Sequence, residues 1–465
     1  MTLPGSKDTP LRVAIIGAGP AGFYTADHLL KQKNLSLEID IFDRLPTPYG
    51  LVRAGVAPDH QKIKSVTKVY DKIAAHPNVR FFGGVELGKD ISVADLMAHY
   101  HQIVYAVGAQ SDRRMGIPGE DLPGSHPATE FVAWYNGHPD FTDYQFDLSQ
   151  EQAVVIGIGN VAMDVARILC RTPEELQKTD IADYALEALK KSKVKEVYIL
   201  GRRGPAQAKF TTPEIKEVAE LADADVFILP EEAKLDELSQ TQLAQEGGKA
   251  AQKVKIIQSY AGRKTEGKSR RLTIRFLVSP VELFGDERGG VRAMRLVKNE
   301  LYATESGALR PRATDQFEDL EVGLVFRSVG YRGLPLPGVP FYDAWGVILN
   351  EKGRVLDPDT KEHRLGEYTA GWIKRGPSGV IGTNRADAVE TVNLMLEDLS
   401  SGITLNPIRP EPEAAEALIR QRQPNFFSYE DWLELDKIER AKGKAQGRPR
   451  VKFTSVKEML AALGR

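Results

Sequence analysis

The sequence predicts an α/β fold made of two units, each a parallel sheet covered by helices, and three observations support this prediction. The string Gly-Ala-Gly-Pro-Ala-Gly occupies residues 17–22, and Gly-Ile-Gly-Asn-Val-Ala occupies residues 157–162. An apolar run precedes each string, at residues 11–16 and 153–156, and an apolar helical pattern follows it. The chain has 465 residues, more than one hydrophobic core usually supports. Strand, glycine turn and helix in this order are typical of Rossmann-like nucleotide-binding domains.

Each small residue in these two turns has a physical role. The first glycine permits the tight turn out of the strand, and the second lets the backbone approach a pyrophosphate. The third small residue lets the helix pack closely on the strand, while the helix N-terminus offers N–H donors to phosphate. The residues concerned are Gly17, Gly19, Gly22, Gly157, Gly159 and Ala162. The alternative, a pair of tight turns without a ligand, is less consistent with the strands and helices around them.

The strand after each turn distinguishes the two ligands. The apolar strand predicted at residues 37–43 ends at Asp43, whose carboxylate is placed to accept hydrogen bonds from a ribose 2′-hydroxyl and would repel a 2′-phosphate. The first turn therefore favours FAD or NAD. The strand predicted at residues 197–201 leads into Arg202 and Arg203, whose planar guanidinium groups bind phosphate oxygens in pairs. The second turn therefore favours NADP, and the alternative is a solvated basic turn.

Composition excludes several classes of function. With 62 basic and 64 acidic residues the chain is nearly neutral, so neither nucleic acid nor a membrane surface is an expected partner. Residues 1–10 are polar, no targeting signal stands out, and no run approaches the ~20 apolar residues of a membrane span. We expect a soluble, cytoplasmic protein, in a bacterium or as a mature organellar form.

The only cysteine, Cys170, lies in an apolar helical pattern and is expected to be buried and inert. One cysteine excludes an internal disulfide, C-x-x-C redox chemistry and an iron–sulfur cluster held by the cysteines of this chain. No metal site is expected.

Several segments outside the turns carry further predictions. Residues 45–60 are rich in glycine and proline and predict a long irregular loop, which is usually functional. Residues 102–109 predict a buried strand that ends in a small-residue turn. The basic run at residues 263–271 predicts an exposed hairpin tip, and a solvated loop is favoured there over a docking site.

The last third of the chain contains a third glycine-rich turn. A short strand leads into residues 368–384, and a helical pattern follows at residues 385–399. Backbone N–H groups at such a helix start suit an anionic or carbonyl-rich ligand edge, such as the redox ring of a flavin. Beyond residue 412 the chain is charged, with helical stretches around Trp432 and at residues 457–463. We expect this extension to pack on the first domain.

Four strings together identify a family resemblance. They lie at residues 46–60, 157–164, 201–205 and 371–384, and they occur in the family's order. The chain resembles the adrenodoxin reductase type of ferredoxin–NADP+ reductase, including the FprA-like bacterial flavoproteins, and the similarity runs almost end to end. The resemblance implies a glutathione-reductase-like architecture with an NADP-binding domain inserted into the FAD-binding domain. The boundaries it implies are 1–110 plus 330–465 for the FAD domain with its C-terminal extension, and 111–329 for the NADP domain.

The resemblance also implies which residues bind each cofactor. The FAD contacts it implies are Ala21, Asp43, Leu51, Val85, Trp372, Gly379, Val380 and Ile381. The NADP contacts it implies are Arg113, Asn160, Val161, Ala162, Arg202, Arg203, Glu214 and Gly379. Two positions depart from the family pattern, because Ile158 stands where relatives often have Asn and Asp43 where Glu is common. The shorter Asp43 side chain reaches less far toward the adenosine ribose.

Three further residues, His60, Asp164 and Glu214, match positions that line the nicotinamide end of the family's cleft. A histidine is the side chain that can titrate near neutral pH, and a carboxylate can bind the carboxamide or orient the histidine. Their implied role is positioning, since hydride transfer needs no protein nucleophile. The alternative for Asp164 is a helix-dipole partner in the first turn of the second domain's helix.

The function implied is electron transfer from NADPH through FAD to a ferredoxin, with a hydride passing to flavin N5 and electrons then leaving singly. An NADPH-dependent flavoprotein reductase of quinones or other small acceptors is the alternative within enzymes. A subunit like the small subunit of glutamate synthase is disfavoured, since that relative carries its own iron–sulfur ligands. A nucleotide-sensing binding protein is disfavoured because both glycine triplets and the two arginines are present.

Overall fold

Two parallel sheets organise the protein, and each is built around one of the glycine turns. The computed structural model describes residues 4–465, so the first three residues of the polar N-terminal segment lie outside the described residues. The strands, in chain order, are β1 (Leu11–Ile16), β2 (Leu37–Asp43), β3 (Val79–Gly83), β4 (Gln102–Tyr105), β5 (Ser111–Asp112), β6 (Ser125–Pro127), β7 (Gln152–Ile156), β8 (Glu196–Gly201), β9 (Ala224–Ile228), β10 (Arg270–Phe276), β11 (Val278–Gly285), β12 (Val291–Ala303), β13 (Leu309–Glu321), β14 (Leu324–Arg327), β15 (Tyr331–Arg332), β16 (Phe341–Tyr342), β17 (Val347–Ile348), β18 (Asn350–Glu351), β19 (Arg354–Leu356) and β20 (His363–Thr369).

The α-helices, in chain order, are α1 (Pro20–Leu30), α2 (Leu51–Ala54), α3 (Gln61–Lys64), α4 (Thr67–Ala74), α5 (Val93–His99), α6 (Ala128–Tyr135), α7 (Asn160–Cys170), α8 (Pro173–Leu176), α9 (Asp183–Lys190), α10 (Thr212–Glu217), α11 (Glu237–Glu246), α12 (Gly248–Tyr260), α13 (Trp372–Arg375), α14 (Thr383–Ser400), α15 (Pro412–Arg422), α16 (Tyr429–Ala445) and α17 (Val456–Ala462).

The first sheet has the strand order β18-β19-β20-β4-β1-β2-β3. Strands β20, β4, β1, β2 and β3 are parallel, and β1 pairs with β2 in a register that places Leu11 opposite Leu37. Every residue of β1 is buried, and all are apolar except Arg12, which pairs with Glu38 and Asp40 of β2. The first glycine turn leaves the sheet at the carboxyl end of β1, where strand order reverses and ligands bind in such folds.

The second sheet has the order β6-β14-β7-β8-β10-β9, and all its neighbouring strands are parallel. Strand β7 lies between β14 and β8, so the second glycine turn occupies the equivalent position. A three-stranded antiparallel sheet, β11-β12-β13, is attached to this unit. The predicted α/β class with two Rossmann-like units is confirmed.

The second unit is inserted into the first through two chain crossings that lie side by side. Strands β5 and β15 form a short antiparallel ribbon with Asp112 opposite Tyr331. Beside this pair, the Arg113 N–H donates to the Gly330 carbonyl at 2.9 Å. The ribbon lies next to the predicted domain boundaries at 110 and 330, and those boundaries remain predictions.

The C-terminal extension contacts both units, whereas the sequence predicted contact with the first alone. On the first unit, the Trp432 Nε1–H donates to the Tyr49 hydroxyl at 3.0 Å, and both rings are buried. On the second unit, Arg448 donates to the Thr179 carbonyl at 3.0 Å and to Asp183 at 2.6 Å. The extension therefore acts as a strap across the two units.

Two local predictions were wrong. Residues 263–271 are not a hairpin tip, because they connect α12 to β10, which pairs in parallel with both β8 and β9. The glycine and the charges in this run resemble a hairpin turn, but the following strand enters the interior of a parallel sheet. Residues 45–60 are not wholly irregular, because they contain the one-turn helix α2.

The buried, inert state predicted for Cys170 is confirmed: the side chain is fully buried in α7 and burial raises its thiol pKa to about 12. Among residues 4–465, none of the helices has the length and apolar character needed to cross a membrane.

Candidate functional site

The first glycine turn leaves open space beside its backbone at one position only. Gly17 has φ +112° and a Cβ there would lie 2.5 Å from the Ala106 carbonyl oxygen, so the turn requires glycine. A Cβ on Gly22 would collide with the Gly17 carbonyl oxygen, because α1 packs directly on the turn. At Gly19, in contrast, a Cβ would meet no atom within 4 Å. The space beside Gly19 is where a bound pyrophosphate approaches the backbone in this fold.

The N-terminus of α1 is available to an anion. Its N-cap is Gly19, which offers no side-chain cap, and the first turn contains no acidic residue. The first N–H groups of the helix therefore have neither a capping partner nor a repelling charge in front of them. This arrangement suits a phosphate group.

Asp43 braces this turn. Its carboxylate accepts hydrogen bonds from the backbone N–H groups of Ala18, at 2.8 Å, and Leu45, at 2.9 Å. Burial raises the pKa of Asp43, and these two hydrogen bonds partly oppose the increase. The carboxylate thus holds the turn and the following loop together, and its predicted contact with the ribose remains a prediction.

The other residues predicted to bind FAD gather around this turn. The Tyr49 N–H donates to the Ala18 carbonyl at 2.8 Å, which places Leu51 and α2 beside the turn. The Val85 N–H donates to the Asp43 carbonyl at 3.0 Å. From the other side, Gly371 packs so closely on Ala21 that a Cβ on the glycine would lie 2.5 Å from the alanine Cβ. Trp372 follows as the first residue of α13.

Gly379, Val380 and Ile381 lie in the loop between α13 and α14. The Trp372 Nε1–H donates to the Ser378 carbonyl at 3.2 Å and holds this loop. Val380 is 51% exposed, although it is apolar. Helix α14 begins behind the loop with Gly382 as N-cap, no side-chain cap and no acidic residue in its first turn. The loop therefore presents an apolar side chain and an uncapped helix start together.

The second glycine turn repeats the design of the first. Gly157 has φ +130° and a Cβ there would collide with the Ser328 carbonyl oxygen, whereas a Cβ on Gly159 would meet no atom within 4 Å. Helix α7 starts after Gly159 with no side-chain cap and no acid in its first turn. Ala162 is fully buried, as close packing of α7 requires, and Val161 beside it is half-buried. The Asn160 side chain accepts a hydrogen bond from the Thr211 N–H at 2.9 Å.

Two arginines without carboxylate partners stand beside the second turn. Arg202 and Arg203 follow β8, and neither forms an ion pair with an acidic residue in the range 4–465. The pKa of Arg203 is lowered by burial and by the positive charges of Arg202 and Arg310. The Asn299 side chain fixes the segment by donating to the Arg202 carbonyl at 3.0 Å. Cations that repel one another and lack a counter-ion form a site for an anion.

A buried arginine joins the two units. The Arg167 guanidinium, on α7, is fully buried and donates to Asp59 and Asp164 at 2.6 Å each. It also donates to Glu214 at 3.0 Å. Asp59 belongs to the long loop of the first unit, while Asp164 and Glu214 lie on α7 and α10 of the second. A buried cation needs such partners, because an uncompensated charge in the interior is strongly destabilising.

His60 completes this group from the first unit. Its Nε2 lies 2.7 Å from a Glu217 carboxylate oxygen, and its Nδ1 lies 3.7 Å from Asp164 and 3.5 Å from Arg167. The His60 backbone caps α3, which fixes where the ring can reach. We refer to these residues as the Arg167 cluster, which consists of Asp59, His60, Asp164, Arg167, Glu214 and Glu217.

The carboxylates of the Arg167 cluster differ in their affinity for protons. Burial, together with the negative charge of Asp164, raises the pKa of Glu214 to about 7. Burial likewise raises the pKa of Asp164, since Arg167 is shared with other acids. Asp59 behaves oppositely, because Arg167 and Arg171 outweigh its burial and hold its pKa below the ordinary value. Glu214 is thus the carboxylate of the cluster that changes charge near neutral pH.

The sequence predicted His60, Asp164 and Glu214 but missed their partners Asp59, Arg167 and Glu217. Arg167 had a signal, because it is the one charged residue between Val165 and Cys170, in an otherwise apolar part of α7. A buried arginine needs acids around it. The placement of Asp164 in the first helical turn was wrong, since it is the fifth residue of α7 and its carboxylate binds Arg167.

His60, Glu214 and Glu217 have the donor atoms of a metal site within 4.8 Å of one another. Arg167 already supplies positive charge there, 3.0 Å from Glu214 and 4.0 Å from Glu217. The carboxylates therefore have a counter-ion without a metal, and the expectation of no metal remains a prediction.

Comparison with known proteins identifies the family. The family model of the pyridine nucleotide-disulphide oxidoreductases matches residues 11–228. The NADPH-ferredoxin reductase FprA of Mycobacterium tuberculosis is 46% identical over 459 residues, which cover 97% of this chain and 98% of that protein. The chain belongs to the NADPH-ferredoxin reductase family.

Other members of the NADPH-ferredoxin reductase family agree in sequence and in structure. The mitochondrial NADPH:adrenodoxin oxidoreductase of Arabidopsis thaliana is 40% identical, with 98% of this chain and 96% of that protein covered. The solved structure of M. tuberculosis FprA in complex with NADPH matches with a TM-score of 0.92 over 98% of this chain and all of that one. The resemblance inferred from the sequence is confirmed.

Two glycines of the second turn can be tested with a matched pair of variants. We expect Gly157→Ala to lower the free energy of unfolding by about 1–3 kcal/mol, because of its positive φ and the clash with Ser328. We expect Gly159→Ala to change stability by less than about 0.5 kcal/mol but to raise the Kd for NADP+ at least about tenfold, since a methyl group enters the open space. Urea unfolding and calorimetric titration measure the two effects. Equal stability losses, or an unchanged Kd for Gly159→Ala, would contradict this account of the turn.

Glu214 generates a prediction about pH. The folded protein holds a proton on Glu214 up to about pH 7, whereas the unfolded chain releases it at the ordinary pKa of 4.5. The folded state binds more protons between these values, so this group makes stability fall as pH rises from about 4.5 to 7. Glu214→Gln removes that dependence. The free energy of unfolding of the variant minus that of the parent should rise between about pH 4.5 and 7 and stay constant above pH 7. Urea unfolding midpoints at each pH measure this difference. A difference that stays constant with pH would show that Glu214 titrates normally.

Proposed function

We propose that this protein is an NADPH-ferredoxin reductase that takes electrons from NADPH through bound FAD and delivers them singly to a ferredoxin-type iron–sulfur protein. The observation that carries the proposal is that the two glycine turns are followed by side chains of opposite charge. One turn is followed by a carboxylate, Asp43, and the other by the unpaired cations Arg202 and Arg203. A chain built this way binds two different dinucleotides, of which only the second carries a 2′-phosphate.

In this proposal the first turn holds FAD. Bound FAD supplies what amino-acid side chains lack, the ability to accept two electrons as a hydride and to release them one at a time. The open face of Gly19 and the N–H groups of α1 bind the pyrophosphate. The segments that carry Leu51, Val85 and Trp372 form the walls, and the loop from Gly379 to Ile381 covers the redox end.

The second turn binds NADPH. The N–H groups of α7 and the open face of Gly159 receive the pyrophosphate, while Arg202 and Arg203 bind the 2′-phosphate in charge-assisted pairs. Arg113 emerges from the ribbon between the units, where its side chain is exposed and able to reach a ligand that spans them. The site is thus basic at the adenosine end and acidic at the Arg167 cluster.

The Arg167 cluster positions the nicotinamide end. Asp59 and His60 come from the unit that binds FAD, and Asp164, Arg167 and Glu214 come from the unit that binds NADPH. Their ion pairs fix the separation of the two dinucleotides, which matters because hydride transfer requires close approach. His60 is oriented by Glu217, and it acts as a positioning residue. No proton transfer through these side chains is required for the hydride step.

The acceptor lies outside the chain. The only thiol, Cys170, is buried with a pKa of about 12, so it does not take part in electron transfer at neutral pH. The relatives described above are named for ferredoxin and for adrenodoxin. The cytoplasmic location expected from the sequence is likewise proposed here.

Anaerobic reduction tests the activity. We expect the purified protein to show flavin absorbance that bleaches on addition of NADPH, and cytochrome c to be reduced rapidly only when a ferredoxin is also present. The control omits ferredoxin and offers a quinone instead. Equal rates with the quinone would favour the small-acceptor alternative, and absence of flavin bleaching would refute an NADPH-dependent flavoenzyme.

The two arginines provide the specificity test. We expect Arg202→Ala combined with Arg203→Ala to reduce the kcat/KM preference for NADPH over NADH at least about 100-fold, because charge-assisted hydrogen bonds contribute ~1.5–3 kcal/mol each. Steady-state kinetics with both nucleotides measures this ratio. Lys255→Ala combined with Lys264→Ala, two exposed cations of the same unit, should leave it unchanged. An unchanged ratio in the arginine variant would remove Arg202 and Arg203 from the 2′-phosphate site.

A further inference from the structure

A separate pocket of about 280 Å³ lies where the first unit, the second unit and the C-terminal extension meet. It is lined by sixteen residues, of which six are lysine or arginine and three are aspartate. None of these residues belongs to the glycine turns or to the Arg167 cluster. The pocket therefore needs an explanation of its own.

Two buried lysines share one carboxylate at the base of this pocket. Lys64, at the end of α3, donates to both oxygens of Asp180 at 2.8 and 2.9 Å. Lys452, from the C-terminal extension, lies 3.4 Å from the same carboxylate, and its side chain is only 1% exposed. Burial lowers the pKa of both lysines. Lys452 also donates to the backbone carbonyls of Arg53 and Asn136, at 3.2 and 3.1 Å, so the two ammonium groups share a single carboxylate.

The remaining acids around the pocket are already engaged. Asp436 binds Arg450 and Arg440, both at 2.6 Å. Asp71 accepts hydrogen bonds from the hydroxyl groups of Tyr49 and Tyr429. The hydroxyl groups are neutral, so Asp71 keeps its negative charge in the pocket wall, and the lining as a whole has six cationic side chains against three carboxylates.

The remaining cations add to that excess. Arg53 and Arg450 share Glu439, which lies behind the pocket wall. Lys68 is exposed at the rim and forms no ion pair with any residue from 4 to 465. Lys68 thus has no carboxylate partner among residues 4–465, and the two lysines on Asp180 have one carboxylate between them.

We propose that this pocket binds a small anion of the phosphate class. The two lysines on Asp180 form its base, and Lys68 and Arg440 form its rim. The volume is near the lower end of ligand sites, about 300 Å³, so a pyrophosphate-sized anion fits and a dinucleotide does not. The site goes beyond the proposed electron transfer and does not depend on it.

A bound anion would join three parts of the chain. Lys64 belongs to the first unit and Lys452 to the extension, while Asp180 connects both to the second unit. Lys64 also ends α3, the helix that His60 caps. An anion in the pocket therefore strengthens the contact between the units at a distance of one helical turn from the Arg167 cluster.

The test is calorimetric titration of pyrophosphate into the FAD-loaded protein saturated with NADP+, so that the arginines of the second turn are occupied. Ionic strength is held constant with sodium chloride, because exposed charges are screened by salt. We expect one saturable site per chain. Lys68→Glu and Arg440→Glu should each weaken binding at least about tenfold, since each reverses a charge at the rim.

Matched controls separate this site from general charge effects. Lys62→Glu, on α3 just before the helix that carries Lys68, and Lys444→Glu, on the same helix as Arg440, reverse exposed charges that do not line the pocket. Both should leave the affinity unchanged. Thermal unfolding without pyrophosphate checks that each variant is folded. Three results would overturn the proposal. The titration could show no saturable binding, or the control variants could lose as much affinity for pyrophosphate as the rim variants. Binding could also be lost only in the variant that combines Arg202→Ala with Arg203→Ala. Steady-state NADPH oxidation, measured separately, reports on the electron-transfer function.

Discussion

The buried guanidinium of Arg167 is the interaction on which the arrangement of the two units depends. It lies in the second unit, yet one of its carboxylate partners, Asp59, belongs to the first. Removing a charge from water is expensive, so the guanidinium holds its partners close and the partners hold the two units in one relative position. The distance between the two dinucleotide sites is therefore set by a few charged groups. Each unit is stabilised by its own apolar core, and ion pairs of the Arg167 cluster connect the two units.

The same cluster explains why its acids differ. Asp59 forms ion pairs with both Arg171 and Arg167. Among residues 4–465, Glu214 has only Arg167 as its cation, and Arg167 also pairs with Asp59 and Asp164. One cation distributed among several carboxylates cannot keep all of them ionised at neutral pH. His60, which is buried, forms its own pair with the more exposed Glu217. The pKa of Asp59 is thus lowered and that of Glu214 raised within one cluster.

Much of the fold could be predicted from the sequence because its signals are local. A buried parallel strand is a continuous apolar run, and a glycine triplet between strand and helix has few other uses. The predicted strand at residues 37–43 has the same bounds as β2, and Asp43 stands at its end. The unequal residues that follow the two turns could also be predicted, because they depend only on distance along the chain.

The remaining features depend on contacts between distant segments. Nothing in the local pattern connects Asp59 with Arg167 or His60 with Glu217, since each pair joins a residue of the first unit to a residue of the second. The basic run at residues 263–271 was mistaken for a hairpin for the same reason: the partners of β10 are strands far away in sequence. Contact of Arg448 with the second unit likewise depends on tertiary packing.

The ribbon formed by β5 and β15 has a consequence for how such a chain could arise. The chain enters and leaves the inserted unit through two adjacent strands, and every strand of the first sheet lies outside the insert. A complete domain can be gained at such a point without breaking either core. If Arg202 and Arg203 bind the 2′-phosphate as proposed, exchange of the insert would alter nucleotide preference and leave every strand of the first sheet in the chain. The ribbon thus allows the insert to be gained or exchanged as a unit during evolution. In the folded protein, however, the Arg167 cluster holds the two units together.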